Sequence, residues 1–129
     1  MFFFPFADEN PTNRTPIFNW LIILICIITF LKYTFDHQYI QEKLFISFGM
    51  IPAVLFRHSE LSSQLKIIPA YLTLITSMFL HGGWMHLLGN MTYLYIFGDN
   101  IEEKLGKIKF LIFYFLTGLC AALTQALLD

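Results

Sequence analysis

The 129-residue sequence has few charged residues, since only 13% are Asp, Glu, Lys or Arg. Soluble domains carry about 25%, whereas 57% of this chain is hydrophobic and 18% aromatic. From Ile67 to Gly98 there is no charged residue at all. The composition therefore argues against an ordinary soluble domain and predicts an integral membrane protein whose main partner is the lipid bilayer.

The sequence also has few cysteines, no excess of basic residues and no signal-peptide features, and each of these limits the kinds of site or partner to expect. The only cysteines, Cys26 and Cys120, lie in apolar runs and are expected to be buried thiols rather than a disulfide or a metal pair. With 8 basic against 9 acidic residues and no basic stripe, the sequence argues against nucleic acid as a partner. Residues 1–16 lack the basic start and small-residue cleavage site of a secretory signal, and are predicted to be an N-terminal arm.

The rest of the chain, 17–129, is predicted to be one domain that contains several apolar runs long enough to cross a bilayer. The sequence predicts three transmembrane helices, at about 17–35, 83–97 and 110–128. The first loop, about 36–82, contains apolar pieces too short to span, so we expect short helices in the membrane interface, broken at Gly49 and Pro52.

The uncharged run from Ile67 to Gly98 is longer than the roughly 20 residues that one crossing needs. Pro69 and the pair Gly82-Gly83 are the available breaks. The run is therefore predicted to form a short helix over about 70–80 and a spanning helix from about residue 83.

Three lysines, Lys104, Lys107 and Lys109, precede the third predicted span. Because cytoplasmic loops are enriched in Lys and Arg, this loop is predicted to be cytoplasmic. Two crossings come before it, so the N-terminus of this multi-pass protein is also predicted to be cytoplasmic.

The second predicted span carries polar groups inside the apolar run. His86 and Asn90 are four residues apart and share a helix face with Gly89, whereas Leu87 and Met91 lie away from it. Polar groups inside a membrane are expensive and indicate function. We expect this small, polar face to look into protein.

Three interpretations of His81, His86 and Asn90 compete. A metal site lacks the Glu of His-Glu-x-x-His and any carboxylate or thiol at ligand spacing, so neither a metal nor another cofactor is expected. Packing against neighbouring helices is the second interpretation. In the third, an imidazole and a carboxamide N–H one turn apart stabilise an oxyanion. The residue pattern leaves the second and third open.

The third predicted span has small residues every four positions, at Gly118, Ala122 and Ala126. Such a face lets another helix approach closely. We expect it, and Gly118 and Ala122 above all, to be exposed and available for docking.

The run from Thr76 to Met91, followed by residues 97–102, resembles the second transmembrane helix of rhomboid intramembrane serine proteases. The specific part is the spacing of the two histidines and Asn90, together with Glu102-x-x-x-Gly106 downstream. Residues 5–16 and the Pro52-Ala53 region are similar to the bacterial branch. The resemblance covers essentially the whole chain and stops halfway through the family fold.

This resemblance implies an all-α membrane fold, a rhomboid-like bundle of which this chain holds three of six core helices. It implies that His86 and Asn90 are the oxyanion-hole side chains and that His81 anchors the first loop. Glu102 would fix the cytoplasmic loop by hydrogen bonds, and Gly106 would allow its tight turn. A bacterial member would lie in the plasma or inner membrane.

The chain departs from the family pattern in two places. The family nucleophile lies in Gly-x-Ser-Gly on the fourth helix and its base is a histidine on the sixth, but no serine here is in that motif; the serines are Ser47, Ser59, Ser62, Ser63 and Ser77. Leu72-Thr73 stands where many members have Trp-Arg in the first loop. The 129 residues alone are therefore predicted to be inactive unless a C-terminal half is encoded downstream or supplied by another chain.

The resemblance predicts a serine endopeptidase that cuts transmembrane protein substrates, here an incomplete chain with the oxyanion helix but without the Ser/His dyad. The alternative is a non-catalytic rhomboid-like protein that binds or escorts membrane clients.

Overall fold

The architecture is all helical in a computed structural model that describes residue 9 and residues 12–128, so most of the predicted arm 1–16 lies outside the described residues. The α-helices are α1 (Ile17–Thr34), α2 (Gln38–Phe48), α3 (Pro52–Leu55), α4 (Thr73–Thr76), α5 (Trp84–Tyr93), α6 (Asp99–Leu105) and α7 (Lys107–Leu128). Short 3-10 turns, Ala70–Leu72 and Ser77–Phe79, flank α4, and a π-helical turn, Leu94–Gly98, joins α5 to α6. The predicted all-α fold is confirmed.

Two helices, α1 and α7, are long and apolar enough to cross a membrane. Large side chains of α7, including Ile112, Leu116 and Leu127, are exposed. An apolar surface of this extent is stable against lipid rather than water. The helix begins at Lys107, three residues before the predicted span, because Gly106 at φ +81° ends α6 directly before it.

The predicted break in the long uncharged run is confirmed. Residues Ala70–Phe79 form one short apolar helical segment. Extended backbone at Gly83 (φ 176°) separates it from α5, which starts at Trp84. Beyond α5 the backbone stays helical through the π turn, because both Leu94 and Gly98 have right-handed helical angles.

The chain divides into two compact units. The first contains the described residues up to Ile28 together with His81–Tyr114, and the second contains Thr29–Leu80 together with the described residues after Tyr114. The first unit holds the predicted polar face, and the second holds the first loop.

In the second unit the first loop is a folded element. The Gln41 amide donates to the backbone carbonyls of Thr34 and Asp36, at 3.2 and 2.9 Å. The rings of Tyr33 and Phe45 meet edge to face with centroids 4.9 Å apart. Gly49 follows the end of α2, and Pro52 opens α3, so the predicted helices and their breaks are confirmed.

The end of the first loop packs on α2 and α7 within the same unit. The Thr76 hydroxyl donates to the carbonyl of Phe48 at 2.6 Å, which satisfies a terminal carbonyl of α2. A Cβ added at Gly118 would lie 2.6 Å from the Met78 sulfur. The prediction of an exposed docking face is therefore wrong at Gly118, because a methionine of the chain's own loop already occupies it. Ala122 is half-buried and Ala126 is buried.

Candidate active site

The side chains of His86 and Asn90 lie one turn apart on α5, and both are exposed. Neither has a hydrogen-bonding partner among the described residues. The ring of His86 contacts the ring of His81 edge to face, with centroids 5.0 Å apart and planes at 61°. His81 is 2% exposed. The structure therefore places His81 against His86, with Asn90 one turn further along α5.

The orientation of α5 corrects one expectation. The residues that α5 buries are Leu87 and Met91, which are themselves four apart. The larger apolar side chains pack inside the unit and turn the polar face outward. The prediction that this face looks into protein is wrong within the described chain.

Open space lies over the polar face. A Cβ added at Gly89, between His86 and Asn90, would meet no heavy atom within 4 Å. Two side chains that can each donate an N–H thus border an uncovered stretch of helix. This arrangement can receive an oxygen that develops negative charge.

A second polar cluster lies where α6 meets the start of α1. The carboxylate of Glu102 accepts the backbone N–H groups of Phe18 and Asn19, at 3.2 and 2.8 Å, and the residue is 3% exposed. The first turn of α1 has no acidic residue of its own. Glu102 thus satisfies two terminal N–H groups from a distant part of the chain, and its charge is favourable at the positive end of the helix dipole.

Asn19 extends this cluster, and sequence reasoning did not select it. Its side chain is completely buried, and its Nδ2 donates to the carbonyl of Leu94 at 2.9 Å. Leu94 lies in the π-helical turn, where the usual pairing of helix carbonyls is shifted and a side chain can insert. The sequence feature that could have identified Asn19 is a single carboxamide residue in an apolar span, the same feature that identified Asn90.

The predicted turn residue Gly106 closes α6. Its φ of +81° is left-handed, a conformation that glycine adopts without steric cost, and its N–H donates to the carbonyl of Glu102 at 2.8 Å. The next acid, Glu103, accepts the N–H of Asn13 at 2.8 Å in an exposed contact. Glu103 thereby joins α6 to the segment before α1, and Glu102 joins α6 to the first turn of α1 itself.

A prediction follows from the close approach of Gly98 to Asn19. A Cβ at Gly98 would lie 2.6 Å from Cγ of Asn19, which cannot move without breaking its bond to Leu94. We expect Gly98→Ala to lower the free energy of unfolding by about 1–3 kcal/mol, measured by thermal unfolding in detergent micelles. Gly89→Ala is the matched control, and it should be neutral or gain up to about 1 kcal/mol from helix propensity. Equal effects would contradict this packing.

Comparison with known proteins shows which family this chain resembles. The family model described as "Rhomboid domain" matches residues 68–129. A Bacillus subtilis (strain 168) protein named "Putative rhomboid protease YdcA" is 32% identical over 105 residues, covering 78% of this chain and 49% of that protein. The Arabidopsis thaliana protein "Rhomboid-like protein 11, chloroplastic" is 39% identical over 57 residues, covering 44% of this chain and 20% of that protein. No solved structure matches significantly.

The chain spans about half the length of the Bacillus relative and a fifth of the Arabidopsis one. The family-model match contains the whole of α5, α6 and α7, and with them the polar face, Glu102 and Gly106. This chain belongs to the rhomboid family.

Proposed function

We propose that the chain supplies the oxyanion-stabilising part of a rhomboid-type intramembrane serine endopeptidase that cuts transmembrane protein substrates. The observation that carries the proposal is the pair of exposed side chains, His86 and Asn90, one turn apart with no hydrogen-bonding partner among the described residues. When a serine attacks a peptide carbonyl, the carbonyl oxygen becomes an oxyanion. The two N–H donors then stabilise it more strongly than they stabilise the substrate.

The remaining machinery must come from residues outside this chain. None of its five serines is in Gly-x-Ser-Gly, so the nucleophile and the base are assigned to the part of the family fold that these 129 residues do not cover. We further propose that the protein is multi-pass in the plasma or inner membrane. The N-terminus and the Glu102 loop would then be cytoplasmic and the first loop extracytoplasmic, as the three lysines beside Glu102 favour.

The test begins with the coding sequence that follows residue 129. A Gly-x-Ser-Gly on the next helix and a later intramembrane histidine are expected. The protein translated through that region should react covalently with a fluorophosphonate probe and cleave a transmembrane reporter in proteoliposomes, whereas the 129-residue chain should do neither. A stop codon after residue 129, or a continued protein without labelling or cleavage, would overturn the protease proposal in favour of a client-binding role.

A further inference from the structure

A cavity of about 490 Å³ lies inside the second unit, within the first loop. Its wall includes Ser47 of α2, Arg57, Glu60 and Lys66 of the segment after α3, and Tyr71. Ligand pockets typically measure about 300–1,000 Å³ and combine apolar walls with a few polar groups. The polar face of α5 contributes no residue to this cavity, so it is separate from the candidate active site.

Ser47 has an unsatisfied polar atom in this wall. The residue is 2% exposed, and its Oγ has no hydrogen-bonding partner in the described part of the chain. Buried polar groups in native proteins nearly always have a partner. The hydroxyl therefore points to a polar ligand that the chain does not itself supply.

Arg57 holds an unusual backbone conformation beside the cavity. Its φ is +61°, in the left-handed region. The N–H of His58 donates to the carbonyl of Ala53 at 2.7 Å, and the N–H of Arg57 to that of Val54 at 3.2 Å. This is the Schellman end of a helix, in which the left-handed position is usually glycine. An arginine in this conformation is strained, and strained positions cluster at functional sites.

The charge of the wall favours a single anion. Two cations, Arg57 and Lys66, stand against one carboxylate, Glu60, and no ion pair joins them in the described residues. A guanidinium binds the oxygens of a phosphate in a bidentate manner. Tyr71 in the wall and Ile67 next to Lys66 are exposed. With α1 across the bilayer, such side chains suit the membrane interface, where phosphodiester headgroups lie.

We propose that this cavity binds the phosphodiester headgroup of an anionic glycerophospholipid of the phosphatidylglycerol type. Arg57 and Lys66 hold the phosphate oxygens, the Ser47 hydroxyl gains a polar partner, and the Glu60 carboxylate accepts hydrogen bonds from the headgroup hydroxyls. The site requires that α1 cross a bilayer, but it does not require protease activity. An experiment can therefore disprove lipid binding at this cavity without disproving the proposed protease function, and the reverse also holds.

The experiment uses the 129-residue chain in a neutral detergent, with binding measured by calorimetry and by the shift of Tm. Short-chain phosphatidylglycerol is expected to bind saturably and raise Tm. Phosphatidylcholine, a sugar-headed diacylglycerol without phosphate and inorganic phosphate should each bind at least 10-fold more weakly. The proposal would be overturned if the sugar lipid or phosphatidylcholine bound as tightly as phosphatidylglycerol. If inorganic phosphate bound as tightly, the ligand would be a free anion and not a lipid.

The variants separate binding from folding. Arg57→Gly removes the cation but suits the left-handed position, so this variant should fold at least as well while its affinity for phosphatidylglycerol falls about 10-fold or more. Lys66→Gln should also weaken binding. Lys43→Gln is the matched control, because it makes the same charge change in the same loop outside the cavity wall. Unchanged affinity in Arg57→Gly, or an equal loss in Lys43→Gln, would refute the site.

Discussion

Replacing His86 or Asn90 with alanine in the protein translated beyond residue 129 is expected, on the proposed function, to lower kcat by about 10²–10³-fold each, with little change in KM. On the proposed function, each change removes an N–H donor that acts on the oxyanion rather than on the bound substrate. The effect should therefore appear in turnover. The measurement is cleavage of a transmembrane reporter in proteoliposomes, with kcat and KM determined separately.

The control for this pair is Met85→Ala. Met85 is next to His86 and strongly exposed, but it lies about 100° around the helix and offers no N–H donor. Its kcat should stay within about twofold of the unmodified protein, because surface substitutions of this kind change little. A His86 or Asn90 variant with unchanged kcat would remove the oxyanion role, even if Tm had fallen.

Removing the buried carboxylate with Glu102→Ala is expected to lower the free energy of unfolding by about 2–4 kcal/mol. Two N–H groups of α1, at Phe18 and Asn19, would lose their acceptor, and each buried unsatisfied group costs about 1–3 kcal/mol. Denaturant unfolding in detergent, followed by circular dichroism, measures the change.

Glu103→Ala provides the comparison, since Glu103 accepts one N–H, from the segment before α1, in an exposed contact. This change should lower the free energy of unfolding by no more than about 0.5 kcal/mol. The loss in Glu102→Gln should lie between those of the two alanine variants, because an NH2 group that can only donate replaces one of the two accepting oxygens. Similar losses at positions 102 and 103 would show that burial of the carboxylate is not what stabilises α1.

The parts of the fold that local chemistry determines could be predicted from the sequence. Gly49 and Pro52 break the first loop into helices, and Gly82-Gly83 separates the short apolar helix from α5. These breaks depend on proline and glycine, which disfavour a continuing helix, and their effect is confined to neighbouring positions.

The parts of the fold that depend on distant partners could not be predicted from the sequence. Asn19 resembles any polar residue near a helix end until Leu94 and Glu102, 75 and 83 residues away, are placed beside it. The outward turn of His86 and Asn90 likewise depends on which face of α5 finds packing partners inside its unit. Periodicity groups residues onto one face, but it does not say what covers that face.

The bond between Glu102 and the first turn of α1 joins residues 84 and 83 positions apart. During translation at about 5–20 residues per second, Glu102 is added to the chain on the order of ten seconds after the first turn of α1 is synthesised. Until Glu102 has been added, the N–H groups of Phe18 and Asn19 lack this acceptor. A ribosome stalled before codon 102 should leave the beginning of α1 open to rapid amide exchange.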